Sequence, residues 1–200
     1  MNFKDTREFI DFLDKKGELL RIKQKVSSEL EITEITDRVV KSGGPALLFE
    51  NVDDYGIPVL INAFGTQQRM AWALGVENMD ELALRVKKLL KLSQGPPSGI
   101  LNKARTLMDL VKIAGSQPRL VTSAPCQDVV LTGENADLTK LPILKCWPMD
   151  AGRYITLPLV VSRDPVTGTR NVGTYRMQVY DSKTAGMHWQ THKVGTHHER

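Results

Sequence analysis

The chain has 200 residues, 41% of them hydrophobic and 25% charged, which is ordinary for a globular protein and excludes a disordered or collagen-like one. Its 27 basic and 23 acidic residues are well mixed, so the net charge of +4 makes no case for a nucleic-acid partner. Two cysteines give no disulfide framework, no apolar run reaches the roughly 20 residues of a membrane span, and the first residues lack a signal-peptide core. We therefore expect a cytoplasmic protein.

Residues 5–26 predict a helix followed by a strand. Asp5 or Thr6 can cap the helix, its apolar residues recur at helical spacing, and Gly17 can end it. Residues 18–26 alternate in part between apolar and polar side chains, which is typical of a strand.

A second helix and two further strands are predicted next. Ser28 is expected to open the helix, because Glu31 three residues later completes a capping box. The helix is expected to stop at the Gly- and Pro-containing turn 42–45. The compact apolar runs 46–49 and 59–64 are then typical of strands.

The middle of the chain predicts helices interrupted by one clear break. Residues 66–74 and 79–92 have helical patterns, the second with an apolar face. The run 93–99 is rich in Gly, Pro and Ser, which is typical of a loop. One more helix is predicted over 101–114.

The character of the sequence changes after this helix. From Pro118 onward, short β runs and turns replace helical patterns. We place a domain boundary near 115–124 and predict an α+β fold, in which an αβ domain over 1–118 precedes a β domain over 119–200.

The last third predicts a β-meander. Strands are expected over 154–163 and 171–180 and from residue 187 onward, with turns at 164–168 and 181–186. Three strands do not close a barrel and leave an open sheet edge, so we expect these residues to be a piece of a longer protein.

The four histidines fall together near the end of the sequence. His188 and His192 are four residues apart and share a face of either a strand or a helix, and His197 and His198 follow. Imidazole is a common ligand of transition metals, so the cluster is a candidate metal site. A surface strand with a polar tail is an equally good interpretation.

The segment 170–178 carries polar residues that suit a binding site. Arg176 could hold a carboxylate or phosphate, the amide oxygen of Asn171 could bind a hard cation, and Gly173 allows a close backbone approach or a bulge. A solvent-facing edge strand explains the same pattern.

The proline-bracketed segment 142–148 favours a fixed chain crossing over chemistry. Cys146 follows Lys145, which could lower the pKa of its thiol, but no catalytic base is placed beside it. The glycine-rich turns match neither a GxxxxGK[ST] nor a GxGxxG phosphate loop.

Several segments of the chain, in order, resemble signature stretches of the UbiD family of decarboxylases. Their ordered combination spans essentially the whole chain and is more specific than any one segment. The segments are 30–35, 43–51, 63–66, 124–126, 141–148 and 171–178.

The resemblance implies a fold and a cofactor. Family members have an N-terminal αβ domain, a flavin-binding split β-barrel and a C-terminal α/β domain, so 119–200 would be the first part of the barrel. Their cofactor is prenylated FMN, whose phosphate binds a divalent metal, usually Mn²⁺, with K⁺ nearby.

The resemblance also implies site residues. Asn171 matches a metal ligand, and His188 matches a position that binds the metal or contacts the flavin phosphate. Arg176 matches the catalytic arginine that positions the substrate carboxylate, whose two acidic partners would lie downstream of residue 200. One departure is the Lys-Val pair at 193–194, where some members have Arg-Gly. The residues implied to contact the flavin are Thr174, Tyr175, Arg176, His188, Trp189, Gln190, Lys193 and Val194.

One consequence concerns strand parity. In a regular strand Asn171 and Arg176 point to opposite faces, so their joint service to one cofactor requires a bulge. Gly173 is the expected place.

The implied reaction is decarboxylation of an aromatic or α,β-unsaturated acid, during which the flavin adds to the substrate and acts as an electron sink. A quinone precursor such as a polyprenyl hydroxybenzoate is the expected substrate, which would bring the protein to a membrane surface at times. A flavin prenyltransferase would supply the cofactor, a homodimer or homohexamer is expected, and nucleic acid is not. A non-catalytic flavin- or metal-binding module is the alternative.

Overall fold

The computed structural model describes residues 3–93 and 120–199, and these form the α+β fold that the sequence predicts. The predicted helix over 101–114 lies outside the described residues, as does most of the loop predicted over 93–99. The domain boundary near 115–124 remains a prediction.

The helices and strands of the described residues are short. In chain order the helices are α1 (Thr6–Lys15), α2 (Glu31–Lys41), α3 (Gln67–Ala73), α4 (Met79–Ser93) and α5 (Val194–Glu199). The strands are β1 (Leu19–Val26), β2 (Ala46–Val52), β3 (Val59–Ile61), β4 (Arg153–Ile155), β5 (Leu159–Arg163), β6 (Arg170–Thr174), β7 (Met177–Val179) and β8 (Ala185–Met187).

Two compact units contain these elements. Of the described residues, the first unit contains 3–9, 66–93 and 120–130, and the second contains 10–65 and 131–199.

Helix caps in the first unit follow from side-chain chemistry. The Asp5 carboxylate accepts a hydrogen bond of 2.9 Å from the Glu8 N–H, which confirms the predicted start of α1. The Thr66 hydroxyl likewise accepts from the Arg69 N–H at 3.1 Å and caps α3. Helix α4 leaves Leu84, Leu90 and neighbouring apolar side chains exposed among the described residues.

The second unit begins with a βαβ arrangement. Strands β1 and β2 pair in parallel, with α2 as the connection between them, and β3 pairs antiparallel with β2. Strand β2 is buried from Ala46 to Phe49, which explains why it reads as a continuous apolar run. The core of this unit consists of Val26, Ile32, Leu47, Phe49 and Val52.

The predicted capping box of α2 is wrong. The helix begins at Glu31, and its N-cap residue is Leu30, which makes no side-chain capping bond. Glu31 does reach back, but its carboxylate accepts from the Ser27 N–H at 2.6 Å. Ser28 is instead 1% exposed and bonded to distant parts of the unit, so tertiary contacts have displaced the local motif.

The predicted meander is divided into shorter pieces. Strands β4, β7 and β8 form one antiparallel sheet, and β5 pairs with β6 in another. The strand expected over 154–163 is broken before Pro158, which has no N–H for a ladder, and the one expected over 171–180 is broken at Tyr175 and Arg176.

The expected strand from residue 187 onward is also wrong. Strand β8 ends at Met187, and helix α5 forms in its place near the end of the described residues. Gly195 and Thr196 of this helix are buried, so packing has decided the conformation of a polar stretch.

The segment 142–148 fixes a chain crossing, as predicted. The Leu30 N–H donates to the Lys145 carbonyl at 2.9 Å, and the Lys145 N–H donates to the Ser28 carbonyl at 3.2 Å. The Tyr154 N–H donates to the Leu144 carbonyl at 3.0 Å, so the segment joins the start of α2 to strand β4.

In the part of the chain that the structure describes, no helix is a candidate for crossing a membrane. The helices of this part all lack the length and apolar character that crossing a bilayer requires.

Candidate functional site

A cavity of about 180 Å³ lies on the sheet formed by β4, β7 and β8. Polar groups dominate its lining and include a cation, an imidazole and two phenol rings. The lining residues are Tyr154, Arg176, Gln178, Tyr180, Gly186, Met187 and His188.

Arg176 lies between β6 and β7, at the break in the predicted strand. Its guanidinium lies over the ring of Tyr154, 4.9 Å from the centroid, in a cation–π contact. Its carbonyl accepts a hydrogen bond of 2.9 Å from the His188 N–H. The backbone therefore brings Arg176 and His188 together at the cavity, as expected for a shared site.

Tyr154 and Gln178 line the same cavity. They are cross-strand partners on β4 and β7, and the Tyr154 hydroxyl donates to Gln178 Oε1 at 3.2 Å. On β8, a side chain at Gly186 would come within 2.2 Å of the Tyr180 hydroxyl. Gly186 is therefore required for the Tyr180 ring to lie along this wall.

Asn171 belongs to a separate polar cluster on the β5–β6 sheet. Its Nδ2 donates to the Ser162 hydroxyl at 3.4 Å and to the Tyr175 hydroxyl at 3.3 Å. Ser162 is its cross-strand partner, and the Ser162 hydroxyl lies 2.9 Å from Nδ1 of His198. The cluster thus pairs Asn171 with His198 of α5.

Tyr175 anchors this cluster from within. The residue is 6% exposed, and its hydroxyl accepts from the Gly195 N–H at 2.9 Å. A methyl group at Gly173 or Gly195 would come within 2.4 Å and 2.7 Å of the Tyr175 ring, respectively. Trp189 packs edge-on against that ring at 5.3 Å. The two glycines therefore make room for one buried aromatic ring.

This packing shows where the strand expected over 171–180 departs from regular geometry. Gly173 stays in register within β6, paired with Val160, so the expected bulge at Gly173 is wrong. The irregularity falls at Tyr175 and Arg176, where Tyr175 turns inward and Arg176 turns toward the cavity.

The remaining predicted flavin contacts lie at the end of β6 and around the start of α5. Thr174, Gln190, Lys193 and Val194 are exposed. The Gln190 carbonyl accepts from the Thr196 hydroxyl at 2.6 Å and from the Lys193 N–H at 2.9 Å. This turn is held by its own hydrogen bonds, and the exposed side chains remain free to contact a ligand.

The structure does not bring the two predicted metal ligands, Asn171 and His188, together in one cavity. His188 lines the cavity of Arg176, whereas Asn171 is not among the lining residues. Within 3–93 and 120–199, no three His, Cys, Asp or Glu side chains form a metal cluster. The amide of Asn171 nevertheless suits a hard cation, because both of its hydrogen bonds use Nδ2 and leave Oδ1 unbonded among the described residues.

Two aspartates rigidify the turns that flank these clusters. Backbone N–H groups of Thr167 and Val166 donate to Asp164 and lower the pKa of its carboxyl group. The pKa of the Asp181 carboxyl is lowered in the same way, first by the Lys183 N–H. Both carboxylates are thus committed to turn geometry.

Sequence reasoning missed four residues of these clusters. Tyr154, Tyr180 and Ser162 were given no role, and Gln178 was only part of a motif. Pairing the predicted strands would have found two of them, because Tyr154 lies opposite Gln178 and Ser162 lies opposite Asn171. Tyr180 becomes visible only through its contact with Gly186.

Family models match both parts of the chain. Residues 10–89 match the N-terminal domain of 3-octaprenyl-4-hydroxybenzoate carboxy-lyase, and residues 119–200 match the Rift-related domain of the same enzyme. The chain belongs to the UbiD family.

Particular relatives match nearly all of the chain. An uncharacterized protein of Archaeoglobus fulgidus is 48% identical over 200 residues, which cover 100% of this chain and 40% of the relative. An uncharacterized protein of Aquifex aeolicus is 46% identical over 198 residues, covering 98% and 40%. The chain thus spans about 40% of the length of these relatives.

Solved structures of UbiD-class enzymes share the fold. HmfF of Pelotomaculum thermopropionicum, in complex with FMN, has a TM-score of 0.72 at 29% identity, covering 96% of this chain and 38% of that one. The vanillic acid decarboxylase of Sedimentibacter hydroxybenzoicus has a TM-score of 0.70 at 28% identity, covering 94% and 38%. The 3,4-dihydroxybenzoic acid decarboxylase AroY of Klebsiella pneumoniae has a TM-score of 0.75 at 25% identity, covering 97% and 38%.

Proposed function

We propose that this chain contributes an αβ domain (1–118) and the first part of a flavin-binding split β-barrel (119–200) to a decarboxylase. The enzyme would remove CO₂ from an aromatic or α,β-unsaturated acid with prenylated FMN. The cavity that unites Arg176, Tyr154 and His188 carries the proposal, because it presents a fixed cation beside aromatic rings. Relatives support it: HmfF was solved with FMN and, in an evolved dimeric form, with prenylated FMN.

Arg176 has the chemistry to hold the substrate carboxylate. A guanidinium binds a carboxylate through two parallel N–H bonds and stays charged at every physiological pH. Among the described residues no carboxylate pairs with Arg176, so its charge is available to an anion. Holding the carboxylate in one orientation aligns the bond that breaks and keeps the departing CO₂ on a defined path.

Other residues suit the cofactor and its ions. Prenylated FMN, when bound, supplies the electron sink for the pair left behind by CO₂. Oδ1 of Asn171 would hold a divalent cation such as Mn²⁺, and His188 would bind that cation or the flavin phosphate. Exposed side chains at the end of β6 and near the start of α5 would contact the flavin, with K⁺ as a further counter-ion; they are Thr174, Gln190, Lys193 and Val194.

The proposed substrate is a polyprenyl hydroxybenzoate or a related quinone precursor. The matching family models describe a carboxy-lyase of 3-octaprenyl-4-hydroxybenzoate. Solved relatives act on smaller acids, vanillic acid and 3,4-dihydroxybenzoic acid, so the family tolerates different rings. A prenylated substrate would bring the enzyme to a membrane surface, and a homodimer or homohexamer would be the working form.

The test is CO₂ release by the full-length protein encoded by the gene, produced together with a flavin prenyltransferase. Arg176→Ala should lower turnover at least about 100-fold, as is usual for loss of a preorganised charge in an active site. Arg170→Ala removes an exposed arginine of the same segment and should leave turnover unchanged. Full activity of the Arg176→Ala variant would refute the site.

A second candidate is a non-catalytic flavin- or metal-binding module. The location of Asn171 outside the Arg176 cavity favours this alternative. Flavin binding without CO₂ release from any aromatic acid, in the full-length protein, would establish it in place of the decarboxylase.

A further inference from the structure

We infer that Tyr154 is a positioning residue, whose ring holds the Arg176 guanidinium in the orientation that binds the substrate carboxylate. The inference rests on the proposed function and names a residue that acts through Arg176. The sequence pattern around Tyr154 indicates no role for this residue, and its contacts in the structure are the basis of the inference.

The first observation is the contact itself. The Arg176 guanidinium lies 4.9 Å from the centroid of the Tyr154 ring, and both residues line the cavity. Arg176 is exposed as a residue. A long, exposed arginine loses much rotamer entropy when it binds an anion, and stacking on a ring lowers that loss in advance.

The second observation is that Tyr154 is itself held at both ends. Its hydroxyl donates to Gln178 Oε1 at 3.2 Å, and its N–H donates to the Leu144 carbonyl at 3.0 Å. The preceding residue, Arg153, donates to the Ser28 hydroxyl at 2.8 Å and to the Ile143 carbonyl at 2.7 Å. The ring is therefore a rigid surface that can impose an orientation on Arg176.

The third observation concerns the N–H groups of the Arg176 guanidinium that remain available for a carboxylate. A cation–π contact uses a face of the guanidinium plane and leaves the N–H groups at its edge for a carboxylate. Stacking therefore does not compete with bidentate binding. An ion pair with a protein carboxylate would compete, and Arg176 has none among the described residues.

The experiment measures the dissociation constant of benzoate, the simplest aromatic carboxylate, by calorimetry on the flavin-loaded full-length protein. Tyr154→Leu should weaken benzoate binding by about 2.5- to 5-fold, the range expected for a cation–π contact at an exposed site. Tyr154→Phe keeps the ring and should stay within about twofold of the natural protein. Phe12→Leu is the matched control, because it removes another cation–π contact, on α1, in which Lys16 Nζ lies 5.6 Å from the centroid of the Phe12 ring.

A double-mutant cycle separates positioning from a general loss of structure. In an Arg176→Gln background the charge is absent, so Tyr154→Leu should have no further effect on benzoate binding. An equal loss in both backgrounds would overturn the inference, as would equal losses in Tyr154→Phe and Tyr154→Leu or the absence of saturable benzoate binding.

The two proposals fail in different ways. Coupling between Tyr154 and Arg176 without CO₂ release would uphold the inference and overturn the decarboxylase. CO₂ release that depends on Arg176 but not on the Tyr154 ring would uphold the decarboxylase and overturn the inference.

Discussion

Arg153 donates a hydrogen bond of 2.8 Å to the buried hydroxyl of Ser28, a residue 125 positions earlier in the chain. The same nitrogen donates to the Ile143 carbonyl at 2.7 Å, and the Ser28 N–H donates to the Asp53 carboxylate at 2.8 Å. One buried serine thus joins the start of α2, the end of β2 and strand β4. Because β4 carries Tyr154, this junction also supports the candidate site.

Loss of the Ser28 hydroxyl should destabilise the protein. Ser28→Ala leaves the Arg153 guanidinium without one buried acceptor, which costs about 1–3 kcal/mol of unfolding free energy. Urea denaturation measures the loss. Ser42→Ala is the control, because the Ser42 hydroxyl donates an exposed hydrogen bond to the Val39 carbonyl away from this junction, and it should cost less than about 0.5 kcal/mol. Equal losses in the two variants would contradict the junction.

The stability of the fold should depend on the charge of Asp53. Hydrogen bonds from the Ser28 side chain, above all, lower the pKa of Asp53 below its ordinary 3.8. Because this pKa is lowered on folding, its stabilisation is complete above about pH 4 and is lost as pH falls through the folded-state pKa. Asp53→Asn should therefore be destabilised at pH 7, and the difference from the natural protein should shrink toward pH 3.

Urea melts at several pH values test this dependence. The backbone of residue 53 has a φ of 45°, which asparagine also adopts, so the Asp53→Asn substitution changes charge with little strain. Asp54→Asn removes an exposed carboxylate paired with Lys25 at 2.6 Å and should show a smaller change. A gap between Asp53→Asn and the natural protein that stays constant with pH would rule out the linkage.

A methyl group at Gly195 should destabilise the second unit, although alanine favours helices. The methyl would meet Trp189 at 2.4 Å and the Tyr175 ring at 2.7 Å, so overpacking should cost about 1–3 kcal/mol. Gly56→Ala places a methyl in open space and should change stability by less than about 0.5 kcal/mol. Thermal melts compare them, and a stabilised Gly195→Ala would show that helix propensity outweighs packing.

The Ser162 hydroxyl should influence Mn²⁺ binding through Asn171. The Ser162 hydroxyl accepts one N–H of the Asn171 amide, so the Oδ1 atom of Asn171 is left for a cation. Loss of such a supporting bond typically lowers metal affinity about 10-fold or more, which we expect for Ser162→Ala. Titration of the metal-free full-length protein, followed by electron paramagnetic resonance of free Mn²⁺, measures the affinity.

Ser182→Ala serves as the control for this measurement. Ser182 contacts the fold through its carbonyl, which accepts from the Leu138 N–H at 2.9 Å, so its hydroxyl is dispensable. Unchanged Mn²⁺ affinity in Ser162→Ala would argue that the amide of Asn171 needs no support or binds no metal.

Local patterns predicted the starts of α1 and α3 and the apolar strand β2. The Asp5 cap, the Gly17 turn with a φ of 71° and the continuous apolar strand β2 all depend on neighbouring residues, so the sequence contains them directly. The family resemblance, carried by short ordered segments, was confirmed by the family models.

The candidate site was predicted only in part, for a physical reason. Arg176 and His188 were candidates from their chemistry and again from the resemblance, and the structure places both at one cavity. Tyr154 and Ser162 were missed because their roles depend on cross-strand pairing, which the pattern of a single strand does not contain. Tyr175 was expected to contact flavin, and only packing showed that its ring is buried.

The sequence by itself determined the α+β class, the order of the elements from α1 to α4 and the residue types available for chemistry, because propensity and periodicity act over a few neighbouring residues. Tertiary structure alone decided where α2 begins, where the strand expected over 171–180 breaks and in which direction the Arg176 side chain points. At each of these points a long-range contact overrides a local preference: Ser28 leaves its capping motif to bind Arg153, and the burial of Tyr175 between two glycines turns Arg176 toward the cavity.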